Sequence, residues 1–138
     1  MSSKKIITYT DGASRGNPGP AGIGAYLMDE SGGALAEVSR YVGVATNNEA
    51  EYRALILALS RALEMKAAAV ACFLDSELVV RQLNGQYRVK NEKMAKFFAE
   101  VKNLMSKFES VTFTHVPREH PNQRVADKLA NRGIDQRE

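Results

Sequence analysis

Long apolar runs are missing from this chain. No stretch approaches the roughly 18 consecutive apolar residues of a membrane span, so no membrane association is expected. Cysteine occurs once, at Cys72 inside the apolar run Val70-Ala71-Cys72-Phe73-Leu74. An intrachain disulfide and a Cys/His zinc site are thereby excluded, and a buried, inert thiol in a reducing cytoplasm is the expectation. Dense Lys/Arg tracts are also lacking: 19 basic against 16 acidic residues leave a net charge of +3 and a pI near 9.1. That mild excess suits a phosphate-rich partner but excludes binding by charge alone. Repeats, low-complexity tracts and linkers are absent, and no charged-then-apolar leader precedes the first strand pattern. What remains is 138 residues, 44% hydrophobic and 25% charged, which is enough core for one domain over 1–138. A cytoplasmic monomer is the working expectation.

The opening stretch, residues 5–25, carries the densest information. Lys5 to Thr10 alternates β-branched and aromatic residues and predicts a strand. It delivers Asp11 into a turn rich in Gly12, Gly16, Pro18, Gly19 and Pro20. Gly22–Met28 and Ala34–Val42 predict two more strands, joined by a hairpin turn at Asp29–Gly33. Thr46-Asn47-Asn48-Glu49 has the capping-box pattern, so a helix is expected from there to about Lys66, with Leu55, Leu59, Ala62 and Leu63 as its apolar stripe. Ala69–Leu74 predicts a strand buried on both faces, Glu77–Leu83 a short helix ended by Asn84-Gly85, and Glu92–Phe108 a longer helix. Val111–Val116 predicts a last strand and Asn122 onward a last helix, with Asp135–Glu138 as a frayed tail. This order implies an α/β fold: a mixed five-stranded sheet, three antiparallel strands then two parallel, with helices on both faces.

Four carboxylates fall at notable places. Asp11 and Asp75 each end a strand, Glu51 lies at the edge of a helix's buried stripe, and Asp127 lies in the first turns of the last helix. Each alone has a plain structural explanation. Asp11 can start a turn, Asp75 can cap the helix beginning at Ser76, and Glu51 and Asp127 can complement helix dipoles. Together they can meet at one end of the sheet. Carboxylates converging in a partly dry cleft repel one another and recruit a hard cation, Mg²⁺ or Mn²⁺.

Four blocks carry a resemblance: YTDGASRGNPGPAG (9–22), TNNEAEY (46–52), FLDSELV (73–79) and HVPREHPNQRVADKLAN (115–131). They closely resemble type 1 ribonuclease H, in the short bacterial and archaeal branch with the HVPRE ending, and cover nearly the whole chain. The resemblance implies a ribonuclease H-like fold and an endonuclease that hydrolyses the RNA strand of RNA–DNA hybrids, leaving 5′-phosphate and 3′-hydroxyl ends. It implies two Mg²⁺ ions, replaceable by Mn²⁺, held by Asp11, Glu51, Asp75 and Asp127, with Asp11 bridging both. Asn17, Asn47 and Asn48, with the backbone of Gly12, Ala13 and Ser14, match positions that sense the ribose 2′-hydroxyl. Thr46 and Asn91 match positions that hold a DNA-strand phosphate.

Three departures from the family pattern stand out. Glu77 replaces a frequent Gln or Asn near the 2′-hydroxyl, and its charge repels phosphate. Only Gln86–Lys90 stands where many members carry a basic, tryptophan-bearing protrusion, and this chain has no Trp. Tyr87 is either a partial stacking replacement or an ordinary surface residue. The expectation is weak, salt-sensitive substrate binding. The loop Pro117–His120 is shorter than the family loop that holds a mobile His, so His120 is open to two roles, proton exchange or plain helix entry. Arg118 or Glu119 can take part of the loop role, and His115 reads as structural. Two alternatives stand beside hybrid cleavage: cleavage of duplex RNA, and a catalytically silent nucleic-acid-binding module of the same fold.

Overall fold

The computed structural model describes residues 4–137. Three strands, β1 (Lys5–Ser14), β2 (Gly19–Asp29) and β3 (Ala34–Ala45), form an antiparallel meander. The chain then crosses through α1 (Asn47–Glu64) to β4 (Ala69–Leu74), which pairs parallel to β1. Two helices, α2 (Glu77–Leu83) and α3 (Glu92–Met105), lead to β5 (Ser110–His115), parallel to β4, and α4 (Pro121–Asp135) closes the chain. The sheet order is β3-β2-β1-β4-β5. It is the mixed five-stranded sheet that the order of elements predicts. Among the described residues no helix is long and apolar enough to cross a membrane.

Strand alternation sends neighbouring residues of β2 to opposite faces. Ala21 and Ile23 pack with Ala50 and Ala54 of α1, whereas Gly22 and Gly24 face α4. A Cβ at Gly24 would stand 2.3 Å from the Ala126 carbonyl oxygen, so α4 lies directly on the sheet backbone. The larger core lies on the α1 side, where Ile6, Leu27, Tyr52, Leu55, Leu59 and Leu74 are fully buried. Each such aliphatic side chain contributes about 1.5–3 kcal/mol on burial. Cys72 is buried here too, and burial pushes its thiol up to about 12, which keeps it inert.

Four element ends differ most from the sequence reading. The first is the start of β2, which lies at Gly19 rather than Gly22 because Gly19 and Pro20 pair with Ala45 and Val44 of β3. β1 does not stop at Thr10 but continues to Ser14, because Gly12, Ala13 and Ser14 pair with Ile23, Gly22 and Ala21 of β2. On its other edge the parallel ladder to β4 stops at Thr10 opposite Leu74. Asp11 is therefore the first residue of β1 past the end of the β4 ladder, paired with Gly24 of β2 alone. β3 likewise runs on to Ala45, and its partners are Gly19 to Ala21 at the start of β2. α3 ends at Met105 rather than Phe108, and turns from Lys107 N to Leu104 O and from Phe108 N to Met105 O still bring Phe108 onto the core.

Candidate active site

The parallel pair β1–β4 opens at its C-terminal end, and the chain places carboxylates around that opening. Asp11 comes from β1 and Asp75 follows the last residue of β4. Ser76, not Asp75, caps α2, since the Val79 N–H donates to the Ser76 hydroxyl at 3.3 Å. The Asp75 carboxylate is thereby left for other work. Glu51 arrives from α1 on the opposite face of the sheet. It reaches the opening because Gly12 has no side chain: a Cβ there would lie 2.3 Å from the Ala50 carbonyl carbon and 2.4 Å from the Glu51 nitrogen. The Gly12 N–H donates to Glu51 Oε1 at 2.7 Å and fixes the carboxylate.

One oxygen from each of Asp11, Glu51 and Asp75 falls within 4.8 Å of the other two. Asp127, on the second turn of α4, lines the same open cleft of about 550 Å³, together with Arg118 and Asn131. Asp11 and Glu51 are buried, at 5% and 6% exposure, while Asp75 and Asp127 are half-buried. Burial, then the Glu51 charge, pushes the Asp11 carboxyl far above the ordinary carboxylate range, and Asp75 and Asp127 add to the rise. Burial likewise raises Glu51, to about 7, against the opposing Asp11 carboxyl and Gly12 N–H. Burial raises Asp75 as well, opposed by the Arg118 guanidinium.

The cluster fits a hard divalent cation. Its donors are all carboxylate oxygens, and Glu51 Oε2 is buried with no hydrogen-bond donor. A buried charged atom without a partner costs several kcal/mol of order unless a cation or proton meets it.

A second cleft of about 480 Å³ adjoins the first and shares Asn47 and Asn48 with it. It is lined further by Asn17, Thr46, Asn91 and Lys93. Four of these side chains spend their acceptor atoms on backbone N–H groups. Thr46 Oγ1 accepts from Glu49 N, Asn91 Oδ1 from Lys93 N and Met94 N, Asn17 Oδ1 from Asn47 N, and Asn47 Oδ1 from Ser14 N. Each backbone donor fixes which way the amide lies. The hydroxyl proton and the amide nitrogens are left as donors, which suits phosphate and ribose oxygens. The capping box at Thr46 is complete, and the buried Glu49 also meets Lys93 Nζ at 2.9 Å. Burial of Glu49 is outweighed by Lys93, which holds its carboxyl below the usual range.

The loop residues separate cleanly. His120 caps α4, its Nδ1 accepting from Asn122 N at 3.1 Å, and its ring stacks on Tyr9 at 5.2 Å between centroids. Arg118 lines the carboxylate cleft, Glu119 is exposed and does not, and His115 is exposed at the end of β5. Glu77 is exposed and paired with Arg81 at 3.1 Å, and Arg81 in turn lies 5.4 Å over the Tyr87 ring. Two residues carry weight that sequence reasoning did not single out. Gln123 is fully buried, and its Nε2 donates to the Thr10 carbonyl at 2.8 Å, bracing the residue before Asp11. Its place three residues before Ala126 on the inner stripe of α4 was the available signal. Asn131 is the other, one helical turn beyond Asp127.

Known proteins share the sequence and the fold of this chain. The family model described as reverse transcriptase-like matches residues 9–133. A ribonuclease HI of Halobacterium salinarum is 41% identical over 131 residues, 95% of this chain and 65% of that protein. A bifunctional protein of Mycobacterium tuberculosis is 41% identical over 132 residues, again 95% of this chain. This chain spans only 36% of the mycobacterial protein's length. The crystal structure of RNase H1 from Halobacterium salinarum superposes with a TM-score of 0.92 at 39% identity, covering 96% of this chain and 99% of that one. LC11-RNase H1, solved in complex with an RNA/DNA hybrid, superposes with a TM-score of 0.87 at 46% identity, covering 95% and 97%. Sequence, sheet order and matched length together place this chain in the reverse transcriptase-like family, as a member of its type 1 ribonuclease H branch.

Proposed function

We propose that this chain is a metal-dependent endoribonuclease that hydrolyses the RNA strand of an RNA–DNA hybrid. The observation that carries the reading is the pair of adjoining clefts, one walled by four carboxylates and the other by side-chain donors, with Asn47 and Asn48 common to both. Their adjacency suits a duplex whose RNA strand lies over the acids while the DNA strand is held next door. LC11-RNase H1, similar in sequence and fold, was solved in complex with an RNA/DNA hybrid, which supports this reading.

In this reading Asp11, Glu51, Asp75 and Asp127 hold two Mg²⁺ ions, with Mn²⁺ as a substitute. When bound, such ions lower the pKa of water and stabilise charge on a leaving oxygen. The chain's own residues do the rest. Gly12 N–H keeps Glu51 from turning away, and Gln123 braces the backbone ahead of Asp11. Asn17, Asn47 and Asn48, with the backbone of Gly12, Ala13 and Ser14, meet ribose 2′-hydroxyls, which only the RNA strand carries. Thr46 and Asn91 offer donors to a DNA phosphate. Hydrolysis forms a bond from water oxygen to phosphorus and breaks the bond to the ribose 3′-oxygen, which departs as a 3′-hydroxyl and leaves a 5′-phosphate. Arg118, already beside Asp75 and Glu51, is the loop group placed to act on the phosphate, whereas His120 spends Nδ1 on its helix cap.

The test is cleavage of end-labelled hybrid, single-stranded RNA and duplex RNA in Mg²⁺, in Mn²⁺ and in chelator. Hybrid cleavage that chelator abolishes is the expected result. Faster cleavage of duplex RNA at matched salt would transfer the reading to that substrate. Metal-independent cleavage, or none of the hybrid, would overturn it.

A further inference from the structure

The four carboxylates are not held alike. Asp11 lies in β1, Asp75 directly follows β4 and the Gly12 amide holds Glu51, whereas Asp127 is carried by a helix. Among the described residues its side chain accepts from Asn131, whose Nδ2 donates to Asp127 Oδ1 at 3.3 Å and to the Asp127 carbonyl at 3.0 Å. The other end of that amide faces Arg15, whose Nη2 lies 3.4 Å from Asn131 Oδ1 and 3.5 Å from its carbonyl oxygen. Arg15 Nη1 is anchored in turn by Asp135 at 2.7 Å. Charge and dipole alternate along this row: Asp135, Arg15, the Asn131 amide, Asp127.

Resting on the proposed metal-dependent function, we infer that Asn131 is a positioning residue for Asp127, with Arg15 setting its polarity. An arginine has only donors, so it can meet only the oxygen of the Asn131 amide. The nitrogen must then turn toward Asp127. One Asp127 oxygen is occupied by that donor, and the other is left to face the cleft and a cation. An outer partner of this kind typically changes metal affinity about 10–100-fold when removed. Arg15 and Asp135 are 45% and 61% exposed, so their ion pair adds little to stability and its loss leaves the fold intact.

The test is a titration of Mn²⁺ into the protein without nucleic acid, by calorimetry, for the wild type and the variants Asn131→Ala, Asn131→Asp and Arg15→Ala, with thermal midpoints measured in chelator. Asn131→Ala is expected to weaken the ion that needs Asp127 about 10-fold. Arg15→Ala should weaken it in the same direction but by less, with thermal midpoints unchanged in chelator for both. Asn131→Asp sets a fourth acceptor beside Asp127 and should alter the number of ions bound. Wild-type binding matched within twofold by both Asn131→Ala and Arg15→Ala would overturn the inference and leave the hybrid nuclease standing; a rise in hybrid KM alone would then make Asn131 a substrate contact only. A wild type that binds no divalent ion would overturn the proposed function, and this inference with it.

Discussion

The Gly12 amide donates to Glu51 Oε1 at 2.7 Å, joining positions 39 residues apart through a gap that exists only because Gly12 lacks a side chain. This contact brings a carboxylate from one face of the sheet to an acid on the other. Gly12→Ala would place a methyl 2.3 Å from the Ala50 carbonyl carbon and force α1 outward. We expect a loss of roughly 1–3 kcal/mol in urea unfolding. Hybrid cleavage should fall by about 100-fold, as a misplaced ligand predicts. Cleavage near the wild-type rate would show that α1 need not sit so close.

The acidic cluster makes stability depend on pH in a definite direction. Asp11, Glu51 and Asp75 all have raised pKa values in the folded chain, chiefly from burial. The folded state therefore keeps protons that the unfolded state has released above about pH 4. Stability in chelator should fall as pH rises from about 4 through neutrality. Asp11→Asn removes the largest contributor and should flatten that fall, raising the thermal midpoint at pH 8 while abolishing cleavage. Divalent ions should release protons on binding and so bind more tightly at pH 8 than at pH 6. Thermal melts across this range check both signs.

Gln123 supports the strand that carries Asp11. Gln123→Leu keeps the volume but leaves the buried Thr10 carbonyl without its donor, and should cost about 1–3 kcal/mol. Hybrid cleavage should drop as well, since Thr10 and Asp11 share a peptide unit. Urea denaturation and kcat measured together separate the two effects.

Substrate grip should be weak and salt-dependent, because no basic protrusion stands between α2 and α3 and Glu77, two residues after Asp75, carries a negative charge. Glu77→Gln should lower the hybrid KM severalfold at low salt and hardly at all at high salt. Stability should move by less than about 0.5 kcal/mol, since the Glu77–Arg81 pair is exposed. A KM unaffected at every salt concentration would place Glu77 away from the hybrid.

Much of this architecture was legible because local signals were strong. Thr46 and Glu49 announced α1 by their spacing, and alternation in Lys5–Thr10 and the apolar run Ala69–Leu74 announced the paired strands. The ends of β1 and β3 were harder, since glycine and proline ordinarily terminate pairing. Here Gly12 pairs with Ile23, and glycines on β2 make room for α4, a requirement set by tertiary packing alone. The acids could be picked out singly, but not their unequal support. Asn131 and Gln123 read as ordinary helix residues until α4 is laid against β1 and the Arg15 turn.

The most direct test is single-turnover cleavage of a hybrid labelled at each end, comparing the wild type with Asp11→Asn at saturating Mg²⁺. The account predicts 5′-phosphate and 3′-hydroxyl products from the RNA strand alone, and a rate at least about 1,000-fold lower for the variant with hybrid affinity largely kept. Equal rates for the two proteins, or cleavage that persists in chelator, would contradict it.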